Sequence, residues 1–510
     1  MKLKNILILT IILILSFNVT AFAEDAAINP STELIPYSST HNKYINNPYG
    51  YEIALPDYLN LNEEIVNVKS RFESEKLVVE ILYDNFENTL DTFSIYNDYG
   101  NRGIKKNPEF KVTNEYFHNF NGTAGYIVLY NRDKISNTEY SQQDRNYYAT
   151  IAFPRSDKEV VTVFIKSAEP IYIEQIMNLF KFIPKTGTMK GDQIFEPVNK
   201  NFDKLTQQFY DKYFVHNEKV DFGIFEPTYP VYKYRLQMLE KIFDYNFPVA
   251  LTYNNFSLPF KKDYMYKAKE EGKTIEYTLY TTDIINGAEQ DITLKILNGE
   301  YDDYLNDLSD SFNQYDFPVL FRLNNEMNGG WVAYSSYHVG KDTDLYKECW
   351  RYIYRKFQEK GVDNLIFVWN PNELSFPGYA FNHYLSYYPG NDYVDVVGLT
   401  AYNTGNYYNG ETWRTFEEAY DHFYYDYVDR FKHPMMITEY SCSSTGGNKP
   451  AWFEDMFDTI HKYDRIKLAV LWNGQDYDTT KKDNPVARNY RLDLDSDVKQ
   501  AIKSGLKKYQ

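Results

Sequence analysis

Two patterns of apolar residues divide the chain. Between residues 47 and 183, short apolar runs of strand length are separated by polar, turn-forming residues, and strands are predicted at 51–55, 77–83, 125–130, 147–153 and 160–165, with a helix at 172–180. Regular alternation of strand and helix is missing from this pattern. It therefore predicts an α+β domain with an antiparallel sheet over 47–183.

The pattern changes after a polar, glycine-containing segment at 184–200, which is predicted to be a linker. Over 201–510, eight apolar runs alternate with amphipathic helices such as 345–360, 416–430 and 452–462. The runs lie at 221–225, 248–253, 274–280, 318–323, 364–369, 394–399, 434–438 and 466–471. Eight strand–helix units favour a (β/α)8 barrel, and a doubly wound open sheet is the alternative.

The first 23 residues have the features of a secretory signal peptide. Lys2 and Lys4 precede an apolar stretch, and Ala21-Phe22-Ala23 forms a small-x-small cleavage site. About 12 apolar residues are too few for a membrane span, which needs roughly 20. We therefore expect cleavage after residue 23, a linker over 24–46, and a secreted, extracellular protein without a membrane anchor, with attachment to the cell surface left open.

Charge and composition narrow the choice of ligand. The net charge is -17 and lysine and arginine form no block, which argues against nucleic acid and anionic membranes as partners. Aromatic residues make up 18% of the chain, and aromatic faces can stack on the apolar faces of sugar rings. With only two cysteines, Cys349 and Cys442, a disulfide framework is excluded, although one bridge is allowed. We expect a monomer that binds a polysaccharide.

Two glutamates lie where predicted barrel strands end, which is where barrel enzymes hold their reactive groups. Glu326 follows the fourth strand and Glu439 ends the seventh, while other strand ends contribute Glu226, Trp369, Tyr402 and Trp472. An acetal breaks when its leaving oxygen is protonated and an anion meets the emerging positive charge, so one carboxyl group must be protonated and the other ionised. This pair therefore predicts glycosidic cleavage.

The segment around Glu326, FRLNNEMNGGW at 321–331, resembles the acid/base segment of glycoside hydrolase family 26, the β-mannanase family of clan A. Further matches follow in the same order: GEYD at 299–302, WR at 350–351, VWNPN at 368–372, YPG at 388–390, YVDVVG at 393–398, YN at 402–403 and ITE at 437–439. The resemblance covers about residues 200–510. It implies a retaining endo-acting hydrolase of a β-linked polysaccharide, most simply β-1,4-mannan.

The resemblance also implies roles for individual residues. Glu326 would be the acid/base and Glu439 the nucleophile, and Tyr402 would donate a hydrogen bond to that nucleophile. Arg322 would place positive charge beneath the site, Trp472 would be the platform under the sugar, and Trp331 and Trp369 would line the cleft. No metal site or cofactor is expected, because the histidines and cysteines show no metal-ligand spacing.

Asn325 departs from the family pattern, which usually has histidine immediately before the acid/base. Asparagine at that position is typical of other clan A families, where it binds the sugar 2-hydroxyl. Mannose differs from glucose and xylose at that hydroxyl, so three alternative functions remain. They are a β-glucanase, a β-xylanase and a hydrolase that trims the cell's own exopolysaccharide. A non-catalytic, glycan-binding surface protein is the alternative from another functional class.

The N-terminal domain carries a shorter resemblance. Its opening segment, NPYGYEIALP at 47–56, is similar to the start of PsbP/Mog1-like domains. No catalytic constellation is evident in this domain. Accessory binding or spacing is therefore the expected role.

Overall fold

The computed structural model of the protein describes residues 31–86 and 93–510. The predicted signal peptide at 1–23 and the first part of the predicted linker, 24–30, lie outside the described residues. Among the residues that are described, no helix is long and apolar enough to cross a membrane.

In its described residues, 31–86 and 93–183, the N-terminal domain consists of strands with two α-helices. In chain order its elements are β1 (Thr32–Pro36), β2 (His41–Asn46), β3 (Tyr51–Pro56), β4 (Asn60–Asn62), β5 (Lys69–Glu73), β6 (Leu77–Asn85), α1 (Phe93–Lys106), β7 (Lys111–Phe120), β8 (Thr123–Asn131), β9 (Tyr147–Pro154), β10 (Glu159–Ser167), α2 (Ile173–Ile176) and β11 (Leu179–Phe182). The strands form a four-stranded sheet, β1-β2-β3-β11, and a seven-stranded sheet, β4-β5-β6-β10-β9-β8-β7, both antiparallel. The predicted antiparallel domain is confirmed.

The larger sheet of this domain is buried on both faces. Successive side chains of a strand point to opposite faces, and on β6 Ile81 belongs to the core between the two sheets, whereas Leu82 belongs to the core shared with the C-terminal domain. Val163 and Phe164 divide in the same way on β10. Burial on both faces explains why these strands are continuously apolar in sequence.

Two predictions for this domain are wrong. Residues 32–46 were predicted as linker but form β1 and β2, because backbone pairing with β3 and the burial of Tyr44 hold a polar stretch in the sheet. The predicted helix at 172–180 is only the four-residue α2, since Leu179 and Phe180 pair with β3 instead. Tertiary pairing outweighs local propensity in both segments.

The C-terminal domain is a closed barrel of eight parallel strands. These are β12 (Asp221–Phe225), β13 (Val249–Asn255), β14 (Thr274–Tyr280), β17 (Val319–Leu323), β18 (Leu365–Trp369), β19 (Val396–Thr400), β20 (Met435–Tyr440) and β21 (Ile466–Trp472). The first strand pairs with the last, Phe225 opposite Trp472. Closure confirms the predicted (β/α)8 barrel and excludes the open sheet.

Helices surround the barrel, and two small hairpins extend from its loops. The hairpins are β15 (Thr282–Ile285) with β16 (Ala288–Asp291), and β22 (Gln475–Tyr477) with β23 (Val486–Asn489). The helices are α3 (Lys204–Tyr210), α4 (Lys233–Phe243), α5 (Lys262–Glu270), α6 (Thr293–Leu297), α7 (Asp302–Gln314), α8 (Thr343–Glu359), α9 (Phe416–Arg430), α10 (Lys449–Thr459) and α11 (Ser496–Leu506). Cys349 on α8 and Cys442 after β20 are buried and free.

Alternation along the barrel strands decides which side chains can reach the site. Leu320, Ile366 and Val368 belong to the cluster at the barrel centre, whereas Phe321 and Phe367 pack in the layer of helices. The centre is filled with aliphatic side chains and is a packed core. Functional side chains must therefore project from the carboxyl ends of the strands.

Candidate active site

A cleft of about 800 Å³ lies at the carboxyl ends of the barrel strands. Glu326 and Glu439 both line it, together with Asn325, Tyr402 and Trp472. Glu326 follows β17 and Glu439 lies on β20, and these two strands are on different sides of the barrel. The cleft therefore brings two carboxyl groups from distant parts of the chain into one site.

A β-bulge turns Glu439 toward the cleft. Leu399 pairs with Ile437, but the next residue, Thr400, pairs with Glu439, so that β20 contains one extra residue at this point. The pairing of β20 with β21 is irregular over the same residues. Without the extra residue, strict alternation would point Glu439 into the helical layer, where Tyr440 lies instead.

Four donors surround the Glu439 carboxylate, two at each oxygen. Oε1 accepts from Asn325 Nδ2 at 3.0 Å and from Arg322 Nη1 at 3.2 Å. Oε2 accepts from the hydroxyl of Tyr402 at 3.2 Å and from the hydroxyl of Tyr253. An ionised carboxylate is an acceptor only, so this set of partners matches an anion at Glu439.

Arg322 lies beneath Glu439 with its side chain fully buried, and four groups fix its orientation. Nε donates to Thr278 Oγ1 at 2.7 Å, and Nη1 donates to Asn370 Oδ1 at 3.1 Å. The guanidinium also lies 3.2 Å from a carboxyl oxygen of Glu439 and 3.2 Å from one of Glu276. Burial raises the pKa of Glu276 to about 8, helped by the charge of Glu439 and opposed by Arg322. This shift favours the neutral form of Glu276, so Glu439 is the principal anionic partner of Arg322.

Glu326 has fewer donors than Glu439. Its Oε1 accepts from Asn372 Nδ2 at 2.6 Å, and its Oε2 lies 3.4 Å from Trp331 Nε1. Burial raises the pKa of Glu326 to about 7 and the charge of Glu439 adds to the effect, while Asn372, Arg322 and Trp331 oppose it. The two carboxyl groups thus differ in environment, one suited to a proton and the other to a charge.

The backbone around Glu326 is strained. Asn324 and Glu326 both have φ of 52°, in the left-handed region that residues with a side chain seldom adopt. Hydrogen bonds hold both residues: Asn324 Oδ1 accepts from the Thr281 amide at 2.7 Å, and the Glu326 amide donates to the Asn370 carbonyl at 2.7 Å. Such strain is typical of functional sites, because the surrounding structure must maintain it.

Aromatic side chains form the floor and one wall of the cleft. Trp472 is half-buried and stacks on Phe225, with ring centroids 5.2 Å apart and planes 17° from parallel. Its Nε1 donates to the Tyr253 hydroxyl at 3.1 Å. Trp331 is 55% exposed and packs against Phe376 at 5.4 Å. Exposed aromatic faces beside carboxylates suit a ligand with apolar faces and hydroxyl edges.

Two residues singled out in the sequence do not reach the cleft. Trp369 has no exposed surface and packs in the helical layer against Phe431, with ring centroids 5.6 Å apart, because the preceding Val368 already faces the barrel centre. The prediction that Trp369 lines the cleft is wrong. Glu226 is buried in an ion pair with Arg235 at 3.1 Å.

The charged side chains on the cleft walls are paired with one another. Arg414 binds both oxygens of Glu373, and Arg488 pairs with Glu411 and with Asp476, the latter at 3.0 Å. A cleft with paired wall charges suits a neutral ligand better than an ionic one. Within residues 31–86 and 93–510, no group of three or more histidine, cysteine or acidic side chains is arranged to hold a metal ion.

Sequence reasoning missed several residues of this site. Tyr253 ends the strand predicted at 248–253, just as Tyr402 and Trp472 follow predicted strands, so the same criterion could have found it. Glu276 lies in mid-strand at an inward-facing position, where a carboxyl group is rare unless it is paired. The residues not assigned a role from the sequence are Tyr253, Glu276, Tyr280, Asn370, Asn372 and Tyr490.

Residues 256–434 match the family model of glycosyl hydrolase family 26. Among curated proteins, the chain is similar to endoglucanase H of Acetivibrio thermocellus, with 28% identity over 193 residues that cover 37% of this chain and 21% of that protein. It is also similar to a mannan endo-1,4-beta-mannosidase of Bacillus subtilis, with 32% identity over 165 residues that cover 31% of this chain and 40% of that protein. The matches thus span less than half of either relative.

Among solved structures, a match is found to the catalytic domain of the family 26 endo-beta-1,4-mannanase from Bacillus sp. JAMB-750. It shares 18% identity, covers 62% of this chain and 93% of that chain, and has a TM-score of 0.47. Glu326 lies inside the region matched by the family model, whereas Glu439 lies just beyond it. The role of Glu439 therefore depends on the geometry of the cleft.

Replacing Arg322 tests the charge balance beneath the site. In Arg322→Met, Glu439 would be left as an unpaired buried charge, and we expect the free energy of unfolding at pH 7 to fall by about 3–5 kcal/mol. The double variant Arg322→Met/Glu439→Gln removes that charge and should recover much of the loss. Chemical denaturation of both variants measures the effect, and a double variant no more stable than the single one would contradict it.

Proposed function

We propose that this chain, whose barrel domain belongs to glycosyl hydrolase family 26, is a secreted retaining hydrolase of a β-linked polysaccharide. The observation that carries this proposal is the pair of carboxyl groups in one aromatic cleft with opposite environments. Glu439 is surrounded by four donors, one of them a guanidinium, whereas burial raises the pKa of Glu326. Glycosidic cleavage needs one protonated and one ionised carboxyl group.

In the first step, Glu439 would attack the anomeric carbon while Glu326 donates its proton to the glycosidic oxygen. The bond between the anomeric carbon and that oxygen breaks, the leaving sugar departs as an alcohol, and the remaining sugar is bound to Glu439 as an ester. Glu326, now ionised, takes a proton from water as the water attacks the same carbon. The ester bond breaks, Glu439 is regenerated, and the two inversions give net retention.

The surrounding side chains would keep Glu439 in position for attack. Arg322 and Asn325 bind Oε1, and Tyr253 and Tyr402 bind Oε2, so the carboxylate plane is fixed from both sides. Such fixed donors need no reorganisation as charge develops in the transition state. The Asn325 amide would also be within reach of the 2-hydroxyl of a sugar bound over Glu439.

β-1,4-Mannan is the first candidate substrate, because one of the matched relatives is a mannan endo-1,4-beta-mannosidase. Another matched relative is an endoglucanase, and Asn325 replaces the histidine usual in the family. β-Glucans, β-xylans and an exopolysaccharide of the producing cell therefore belong in the same test. The predicted signal peptide supports secretion, and monomeric action is part of the proposal.

Hydrolysis of purified polysaccharides tests the proposal. We expect the protein to release reducing ends from β-1,4-mannan, or from one of the glucan and xylan alternatives, and Glu439→Ala to lose nearly all activity. Azide is small enough to enter the space left by the missing carboxylate, so it should restore turnover of Glu439→Ala as the inverted glycosyl azide. Correctly folded protein that binds a glycan without releasing product would instead favour a glycan-binding surface protein.

The pH dependence of kcat/KM tests the role of Glu326. The acid must be protonated, so kcat/KM should fall as the pH rises through about 7, the pKa of Glu326. The Asn372 amide binds the carboxyl group at 2.6 Å and lowers this pKa, so Asn372→Ala should move the alkaline limb to higher pH. Trp331→Phe removes the longer, 3.4 Å contact and should move the limb less. An unchanged or lower limb in Asn372→Ala would contradict the assignment.

A further inference from the structure

A second groove, of about 630 Å³, continues the catalytic cleft between the two domains. Tyr280 and Trp331 line both cavities, so the groove opens directly from the site. The N-terminal domain supplies Lys106 and Glu109 at the end of α1, while the β15–β16 hairpin supplies Gln290. The groove is therefore built jointly by the barrel and the N-terminal domain.

The N-terminal domain is packed closely on the loop that carries Glu326 and Trp331. This loop, 324–342, joins β17 to α8. At Gly103 on α1, a Cβ atom would lie 1.8 Å from the Tyr337 carbonyl oxygen, so only glycine allows so close an approach. The Tyr130 hydroxyl donates to the Gly340 carbonyl at 2.8 Å, and both groups are buried. These contacts hold one wall of the groove in a fixed position relative to the acid/base.

Buried ion pairs fix the other end of the same loop. Lys166, on the large sheet of the N-terminal domain, lies 3.1 Å from Asp342, which caps α8. Arg71 pairs with Asp344 at 2.9 Å and with Glu80. Breaking such pairs would leave buried charges without partners, at a cost of several kcal/mol. These ion pairs thus hold the two domains in a fixed relative position.

The position of Trp331 indicates which part of a sugar chain enters the groove. The acid protonates the oxygen of the leaving sugar, so that sugar must lie on the Glu326 side of the cleaved bond. Trp331 Nε1 is 3.4 Å from Glu326 Oε2, and the groove extends beyond Trp331. A chain leaving the site on this side would pass over Trp331 and reach Lys106 and Glu109.

The groove has the chemistry of a sugar-binding surface. Tyr280 and Trp331 provide aromatic rings, and Lys106, Glu109 and Gln290 provide donors and acceptors around them. Donors and acceptors of both charges beside aromatic faces suit a neutral, hydroxyl-rich chain.

We propose that the N-terminal domain completes the substrate site by binding the leaving-group side of a β-linked polysaccharide in the groove between Lys106, Glu109 and Trp331. This inference rests on the proposed hydrolase function. It gives the N-terminal domain a role in chain-length selectivity, beyond accessory binding or spacing.

Chain-length dependence of hydrolysis tests this proposal. The wild-type protein, Lys106→Ala and Glu109→Ala are compared on β-1,4-mannan oligosaccharides of four and six units, with Lys181→Ala, an exposed change on β11, as the matched control. We compare the ratio of kcat/KM for the six-unit substrate to kcat/KM for the four-unit substrate. This ratio should fall about tenfold in Lys106→Ala and Glu109→Ala, the groove variants, because each loses one or two hydrogen bonds to the sugar chain. Lys181→Ala should keep the wild-type ratio. An unchanged ratio in both groove variants would overturn the proposal.

An aryl β-mannotrioside separates the two sides of the site, because its small leaving group does not reach the groove. We expect the groove variants to lose far less activity on it than on the six-unit oligosaccharide. Losses of equal size on both substrates would contradict binding on the leaving-group side.

A binding measurement tests the groove independently of the hydrolase activity. If the wild-type protein cleaves none of these substrates, six-unit oligosaccharides of β-mannan, β-glucan and β-xylan are titrated into Glu439→Gln by calorimetry, with and without Lys106→Ala. The groove predicts that Lys106→Ala weakens binding by about tenfold. Equal affinities, or no binding of any of the three, would overturn the groove proposal separately from the reaction.

Discussion

The site depends on a single buried positive charge. Arg322 is fully enclosed at the top of the barrel core, and its guanidinium is directed at Glu439 from below. A buried guanidinium is tolerated only with anionic and hydrogen-bonding partners around it, and Thr278, Asn370 and the carboxyl group of Glu276 complete that set. Because burial raises the pKa of Glu276 and favours its neutral form, Glu439 is the principal anionic partner of Arg322. Burial also raises the pKa of Glu326, and the charge of Glu439 adds to that effect, so the ionisation of Glu439 influences that of Glu326.

Two departures from regular backbone geometry place the two carboxyl groups in the cleft. The bulge in β20 turns Glu439 out of the helical layer and into the cleft, and left-handed backbone at Asn324 and Glu326 shapes the start of the loop after β17. The N-terminal domain packs on that same loop through Gly103 and the ion pair between Lys166 and Asp342. The strained backbone at Glu326 is therefore supported by packing between the domains, which links the N-terminal domain to the cleft of the barrel.

Much of this architecture could be predicted from the sequence, because it depends on local patterns. Barrel strands are short apolar runs between amphipathic helices, and functional groups follow them, which located Glu326 and Glu439. The wrong predictions concern features that depend on tertiary structure. Whether Trp369 faces the cleft or the helices depends on which side chains of β18 point into the barrel. The burial of Tyr44 in a sheet depends on pairing with other strands. The role of Glu276 could not be recognised without its neighbour Arg322, and the groove between the domains has no signature in either segment alone.

In the proposed mechanism, Glu439 forms a covalent bond with the sugar while Glu326 acts as the acid and base. Incubation with an activated 2-deoxy-2-fluoro glycoside of the sugar that the protein hydrolyses tests this mechanism. The fluorine slows both formation and breakdown of the glycosyl ester, whereas the activated leaving group speeds its formation, so the ester accumulates. Peptide mapping by mass spectrometry then locates the attached sugar. We expect a single fluoro-sugar bound to the peptide that contains Glu439. A label on any other residue, or continued hydrolysis of the polysaccharide with inversion and no label, would contradict it.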